Sequence, residues 1–361
     1  MPTADRLVRL RALMRAEGVA SLLVTDLPSI RHLAGFTGSA ARLLVTPRRA
    51  HLVTDGRYRI QAAREAFRCR VAVAAPGKAF EAVADALRRD GVRTLSFEPD
   101  AITYADWRAL ARACGRRVRL APAPPLAARL RAVKDRAEIA LLRRLARMAD
   151  AVLAACRPRL RPGMTEGEIA ALLERASLDA GAEEAAFRPI VAAGAHAAMP
   201  HHRPGAGTAR RGAPLLIDFG TRMRGYNSDL TRTFHFGKVT ARYEGVYRTV
   251  LDAQRAALQA IRPGVRAGDV DRAARDVIAA AGHAACFGHS LGHGIGLEVH
   301  EEPRLGPGVA TKLEAGMVFT VEPGIYLPGW GGVRIEDMAA VTSTGCVVLT
   351  GSARELGDSV L

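Results

Sequence analysis

The chain has 361 residues, 49% of them hydrophobic and 24% charged, which is enough for two globular domains, each with its own core. No run of about 20 apolar residues escapes interruption by charge, which excludes a membrane-spanning helix. The net charge of +16 comes from 52 basic residues, all but four of them arginine; they are spread along the whole chain with no aromatic-rich motif, which argues against a nucleic-acid surface.

The opening stretch MPTADRLVRLRALMRAEG alternates Arg with Leu and carries Asp5 and Glu17. That is the pattern of an amphipathic helix and not of a signal peptide, which needs an unbroken apolar core. Ser21 to Thr25 reads as a short apolar strand, and Ala41 to Thr46 with Ala50 to Asp55 as a hairpin around Pro47. RYRIQAAREAF returns to helical spacing, KAFEAVADALRRDGV is a helix closed by Gly91, TLSFE is a strand, and a further helix runs from about Thr103 to Cys114. This alternation predicts an α/β domain over residues 1–125. Pro122, Pro124 and Pro125 in APAPPLA make a stiff extended linker, with a second domain over 126–361.

Beyond the linker the chain repeats itself. RPGMTEGEIA at 161–170 recurs as RPGVRAGDVD at 262–271, and Ala180-Gly181 matches Ala281-Gly282, all offset by 101 residues. In each copy a long helix precedes Arg-Pro-Gly and a second helix follows, with Ala-Gly as its stop. Two copies are too few for a solenoid, so the reading is a pseudo-twofold α+β domain, each half supplying a helix pair and a share of sheet. The five cysteines, Cys69, Cys114, Cys156, Cys286 and Cys346, are odd in number and not closely spaced, as expected for free thiols in a reducing cytoplasm.

Each half also carries a pair of acidic residues on strand-like segments. APLLIDFG ends on Asp218 and GYNSDLTRTF contains Asp229, with TRMRGYN between them as the hairpin loop. GMVFTVEPGIY holds Glu322 and GGVRIEDMAAV holds Glu336, separated by LPGWGG. Any one of these alone reads as a surface charge or a helix cap. Together they differ, because Asp218 and Glu336 interrupt apolar runs, and burying ionised carboxylates without countercharge costs several kcal/mol each. Metal ions or close pairing must offset that cost, and Arg334, two residues from Glu336, is one candidate partner.

Eight of the ten histidines fall between His196 and His300. In HSLGHGIGLEVHE, Gly292, Gly294 and Gly296 bracket His293 and let backbone approach the imidazole closely. No lysine follows as a phosphate loop requires. His300 and the pair His201-His202 are candidates for supporting the metal site or polarising a substrate carbonyl.

IDFG, GYNSDLTRTF, GHGIGLEVHEEPRL, VEPGIY and GVRIEDM, in this order, resemble the pita-bread metallopeptidases, most closely the branch of Xaa-Pro aminopeptidase and Xaa-Pro dipeptidase (prolidase). That branch pairs a creatinase-like N-terminal α/β domain with the pita-bread catalytic domain. The resemblance implies two divalent ions: Asp218 on one, His293 and Glu322 on the other, Asp229 and Glu336 bridging both. Manganese is the expected metal, with cobalt and zinc as alternatives. Glu322 would relay a proton to the leaving nitrogen, His201 and His300 would bind substrate, and Arg334 would support the site by ion pairing. The implied activity is release of the residue before proline by a cytoplasmic Xaa-Pro aminopeptidase, a homodimer whose N-terminal domain limits substrate length. A prolidase restricted to dipeptides is the alternative, and Arg304 in HEEPRL either pairs with a dipeptide carboxylate or is structural. A third reading, the fold kept as a binding scaffold, does not account for the retention of all five ligands.

Overall fold

The computed structural model describes residues 3–361; Met1 and Pro2, at the start of the expected opening helix, lie outside them. Two compact units result, residues up to Arg131 and Ala132–Leu361.

In the first unit, β1 (Leu22–Val24), β2 (Ala41–Val45), β3 (Ala50–Asp55), β4 (Arg70–Ala74), β5 (Thr94–Phe97) and β6 (Arg119–Pro122) form one sheet in the order β4-β3-β2-β1-β5-β6. The expected hairpin is there, with β2 antiparallel to β3 and Leu44 opposite His51. Helices α1 (Thr3–Ala16), α2 (Leu27–Ala34), α3 (Arg59–Glu65), α4 (Ala79–Arg89), α5 (Tyr104–Cys114) and α6 (Leu126–Ala132) complete the unit. The period of two along each strand sorts side chains to opposite faces. Leu22, Val24, Leu43 and Val45 join Leu10 and Ile30 in one core, while Leu23 and Leu44 pack with Phe80, Leu87 and Leu110 in another.

The domain boundary moves from residue 125 to 131. APAPPLA is not a linker: its first residues finish β6, where Pro122 lies opposite Phe97 at the sheet edge, which tolerates a missing N–H. The helix α6 that follows buries Leu126, Ala127 and Leu130 in the first unit's core. Two further elements were not expected, α2 and β4. The short α2 nonetheless carries its signals, an Asp26 cap that accepts from Ser29 N at 2.9 Å and Gly35 at φ 80° as its stop.

The second unit holds the repeat. Helices α7 (Arg136–Cys156) and α8 (Glu166–Asp179) form one pair, α9 (Ala241–Ala260) and α10 (Ala267–Ala280) the other. Gly163 and Gly264 turn both interhelical loops with positive φ, 94° and 86°. Gly163 N donates to Ala209 O and Gly264 N to Leu313 O, each at 2.8 Å, so the two loops are built alike.

The strands are β7 (Glu184–Ala185), β8 (Ile190–Ala193), β9 (Pro214–Phe219), β10 (Thr221–Met223), β11 (Tyr226–Asn227), β12 (Leu230–His235), β13 (Gly292–Gly294), β14 (Glu301–Leu305), β15 (Val318–Val321), β16 (Gly324–Leu327), β17 (Gly331–Arg334), β18 (Asp337–Val341) and β19 (Cys346–Val348). β12-β9-β8 and β14-β13-β15-β18-β19 are separate sheets, one per half. The expected carboxylate hairpins are each broken in two. β9 pairs with β12 and β10 with β11, whose turn is Arg224-Gly225 at φ 51° and 74°; β15 pairs with β18 and β16 with β17. TRMRGYN is therefore mostly strand rather than loop. No helix among the described residues is long and apolar enough to cross a membrane.

Candidate metal centre

The carboxylates sit at the breaks of the two hairpins. Asp218 is in β9 opposite Thr231 of β12, and Asp229 lies two residues before Thr231, so by strand alternation all three share a face. Glu322 directly follows β15 and Glu336 directly precedes β18, the equivalent places in the other half. Asp218, Asp229 and Glu336 are buried, and Glu322 is half-buried.

His293 reaches this cluster from β13. Its Nε2 lies 3.3 Å from Glu322 Oε1 and 3.8 Å from Asp229 Oδ2. The flanking glycines are required by close approach: a Cβ on Gly292 would sit 2.0 Å from Thr320 O, and one on Gly294 2.2 Å from Glu302 O. Asp229, His293 and Glu336 offer ligand atoms that all fall within 4.8 Å of one another.

Arg334 is the buried countercharge. Its Nη2 donates to Asp218 Oδ2 at 2.6 Å and its Nε to Thr231 Oγ1 at 3.1 Å. Thr231 Oγ1 in turn donates to Glu336 Oε2 at 2.5 Å. The expected pairing of Arg334 with Glu336 is thus indirect, and the direct partner belongs to the other half. Arg334 Nη1 also donates to Tyr326 Oη at 2.9 Å, which leaves the tyrosine proton for His289 Nε2, 2.8 Å away. His289 Nδ1–H then donates to Ser290 O at 2.8 Å, so this chain of bonds selects its tautomer.

The electrostatics follow from burial and crowding. Burial first, then the charges of neighbouring carboxylates, pushes Asp229 and Glu336 well above the ordinary carboxylate range; Asp218 is raised by burial against the pull of Arg334. Glu322 goes the other way: burial opposes its charge, but the bond and charge of His293 bring it down to about 2. Asp218 Oδ1 and Asp229 Oδ1 are buried without a hydrogen-bond partner among the described residues. Orphaned carboxylate oxygens in a crowd of four carboxylates and one imidazole fit divalent cations, which supply both the missing charge and the missing partner.

The remaining sequence candidates divide. His300 is exposed with its ring 4.1 Å from that of His293. His201 is exposed, and Arg334 Nη1 reaches the carbonyl of the preceding Pro200 at 3.4 Å. His202 turns away, its Nε2 donating to Glu166 Oε2 at 2.9 Å. Arg304 is exposed, with Nε on Ser290 Oγ at 2.7 Å. Sequence reasoning passed over His289, Tyr326 and Thr231; the spacing of four between His289 and His293 was the one visible signal.

Residues 140–343 match the family model of metallopeptidase family M24, and residues 6–133 that of the creatinase/prolidase N-terminal domain. The chain belongs to metallopeptidase family M24. It is therefore a hydrolase, and its two units are the creatinase-like and pita-bread parts that the motifs implied. It is 35% identical over 351 residues to the uncharacterized peptidase YqhT of Bacillus subtilis (strain 168), covering 97% of this chain and 99% of that one. The structure of an Xaa-Pro dipeptidase from Bacillus anthracis superposes with a TM-score of 0.94 at 38% identity, covering 99% of this chain and 100% of that chain. An X-Pro aminopeptidase from Thermotoga maritima MSB8 gives 0.88 at 33%, covering 98% and 99%. Within the M24 family, then, this chain is similar to enzymes of both substrate lengths.

Proposed function

We propose that this M24 chain hydrolyses the bond between an N-terminal residue and proline. The observation that carries it is the pair of orphaned buried oxygens on Asp218 and Asp229 beside His293. Asp218, Asp229, His293, Glu322 and Glu336 would hold two divalent ions, manganese first and cobalt or zinc as alternatives. Bound there, such ions polarise the scissile carbonyl and make water a nucleophile at neutral pH.

The chain's own residues supply the rest. Glu322, kept ionised by His293, takes the proton of the attacking water and passes it to the prolyl nitrogen, which has no hydrogen of its own. His201 and His300 hold the substrate and stabilise charge on its carbonyl oxygen. Arg334 favours the ionised form of Asp218 against the effect of burial and aligns it through their 2.6 Å bond.

Two substrate lengths suit this centre. We put the Xaa-Pro dipeptidase reading ahead of the aminopeptidase expected from sequence; what supports it is a likeness to the Bacillus anthracis dipeptidase higher in both identity and TM-score than that to the Thermotoga aminopeptidase. Arg304 supports it as a cation for the dipeptide carboxylate. The test is release of proline-containing products from Ala-Pro and Ala-Pro-Ala side by side with manganese. Cleavage of the dipeptide alone supports the dipeptidase; cleavage of both makes the chain an aminopeptidase. The reading carries forward a homodimer, checked by light scattering, in a reducing cytoplasm, which the five free cysteines support.

A further inference from the structure

Glu166 is a buried carboxylate outside the metal centre, in the first turn of α8. It accepts four hydrogen bonds, from Ala193 N at 2.9 Å, His196 Nδ1 at 2.7 Å, His202 Nε2 at 2.9 Å and Gly205 N at 3.2 Å. All four donors belong to residues 193–205, the last residue of β8 and the loop that follows it. His201 sits within that loop and is pinned on both sides: Pro200 by the guanidinium of Arg334, His202 by Glu166.

Glu166, His196 and His202 also offer three ligand atoms within 4.8 Å, the geometry of a metal site. The carboxylate argues otherwise, because two of its partners are backbone N–H groups and both oxygens are already satisfied by the loop. The internal repeat supplies a control. Glu166 N donates to Gly207 O as Ala267 N donates to Thr311 O, each at 2.8 Å, so Ala267 is the equivalent residue and is equally buried. The same helix start therefore forms without a carboxylate. In that half the anchor is Asp271, one turn on, which accepts from Leu291 N at 3.0 Å and from Arg275, itself bonded to the carbonyls of Phe287 and His289.

We propose that Glu166 is a positioning residue for His201, clamping the 193–205 loop so that this histidine is presented to the substrate beside the metal centre. The proposal rests on the peptidase reading for what His201 does, and on geometry for what holds it. His201 follows Pro200, whose carbonyl accepts from the Arg334 guanidinium that also holds Asp218, so the loop is tied to the edge of the metal centre. A histidine that is exposed and whose side chain has no hydrogen-bond partner among the described residues needs its backbone fixed if it is to meet a carbonyl within hydrogen-bond reach.

The test is a double-mutant cycle on the full chain loaded with manganese, using Ala-Pro. Glu166→Ala is expected to lower kcat about tenfold or more with little change in KM. In a His201→Ala background the same substitution is expected to change kcat by less than about twofold, because the residue it positions is gone. Equal losses in both backgrounds would overturn the proposal. If Glu166→Ala does not fold, His202→Ala removes one arm of the clamp and takes its place in the same cycle. Amide exchange is the readout independent of activity: residues 194–207 should exchange faster in the variant at unchanged metal content. Unchanged protection, or loss of a metal ion from the variant, would overturn it. A wild type that cleaves no Xaa-Pro peptide would count against the peptidase reading, while exchange would still decide what Glu166 holds.

Discussion

Arg334 and Asp218 come from opposite halves of the pseudo-twofold unit and meet in a 2.6 Å hydrogen bond with both side chains almost fully buried. The bond ties β17 to β9 across the centre. Removing one partner of a buried pair leaves the other charge stranded, which costs about 3–5 kcal/mol. Arg334→Ala should lose stability of that order in denaturant unfolding of the metal-free protein, and a loss under about 1 kcal/mol would show that Asp218 simply takes up a proton.

Metal should stabilise the fold, because the ions bind only the assembled carboxylates. Free manganese at 100 times its dissociation constant adds about 2.7 kcal/mol. Differential scanning calorimetry should therefore show the melting temperature rising with added manganese in wild type. The rise should vanish in Glu336→Ala, and a rise that survives would place the ion elsewhere.

Glu98, in the first unit, gives a pH dependence of its own. Burial, reinforced by Asp26, raises its pKa from 4.5 to about 7 in the folded chain, although its Oε1 accepts from Ala127 N at 2.7 Å. Between these values the folded state holds a proton that the unfolded chain has released, so stability falls as pH rises, by about 3 kcal/mol in all. Glu98→Gln keeps an acceptor for Ala127 and removes the dependence. It should be more stable than wild type in urea at pH 8 and equal to it near pH 4.

Arg304 decides between the two substrate lengths. If its guanidinium meets a dipeptide carboxylate, Arg304→Ala should raise KM for Ala-Pro about tenfold with kcat little changed, the mark of lost ground-state binding. Steady-state kinetics with Ala-Pro and its C-terminal amide would show it: the variant should treat the two alike.

The two units, the helix-pair repeat and the four carboxylates and His293 that the structure brings together were legible in the sequence, because hydrophobic period and short motifs are local. It concealed what depends on partners far along the chain. Arg334 was legible as a cation near Glu336, but its bond to Asp218, 116 residues earlier, is set by the meeting of two hairpins. His202 looked equivalent to His201 until Glu166, 36 residues earlier, claimed it. The linker failed for a related reason: three prolines read as an extended joint, yet Pro122 lies on a sheet edge where its missing N–H is harmless.

The most direct measurement is the release of free proline from Ala-Pro by chelator-stripped protein, before and after addition of manganese, with Glu336→Ala in parallel. The account predicts no proline before addition, turnover after it, and at least a hundredfold less in the variant, on the order of what loss of a metal ligand costs. Turnover that needs no metal, or equal turnover in wild type and variant, would contradict it.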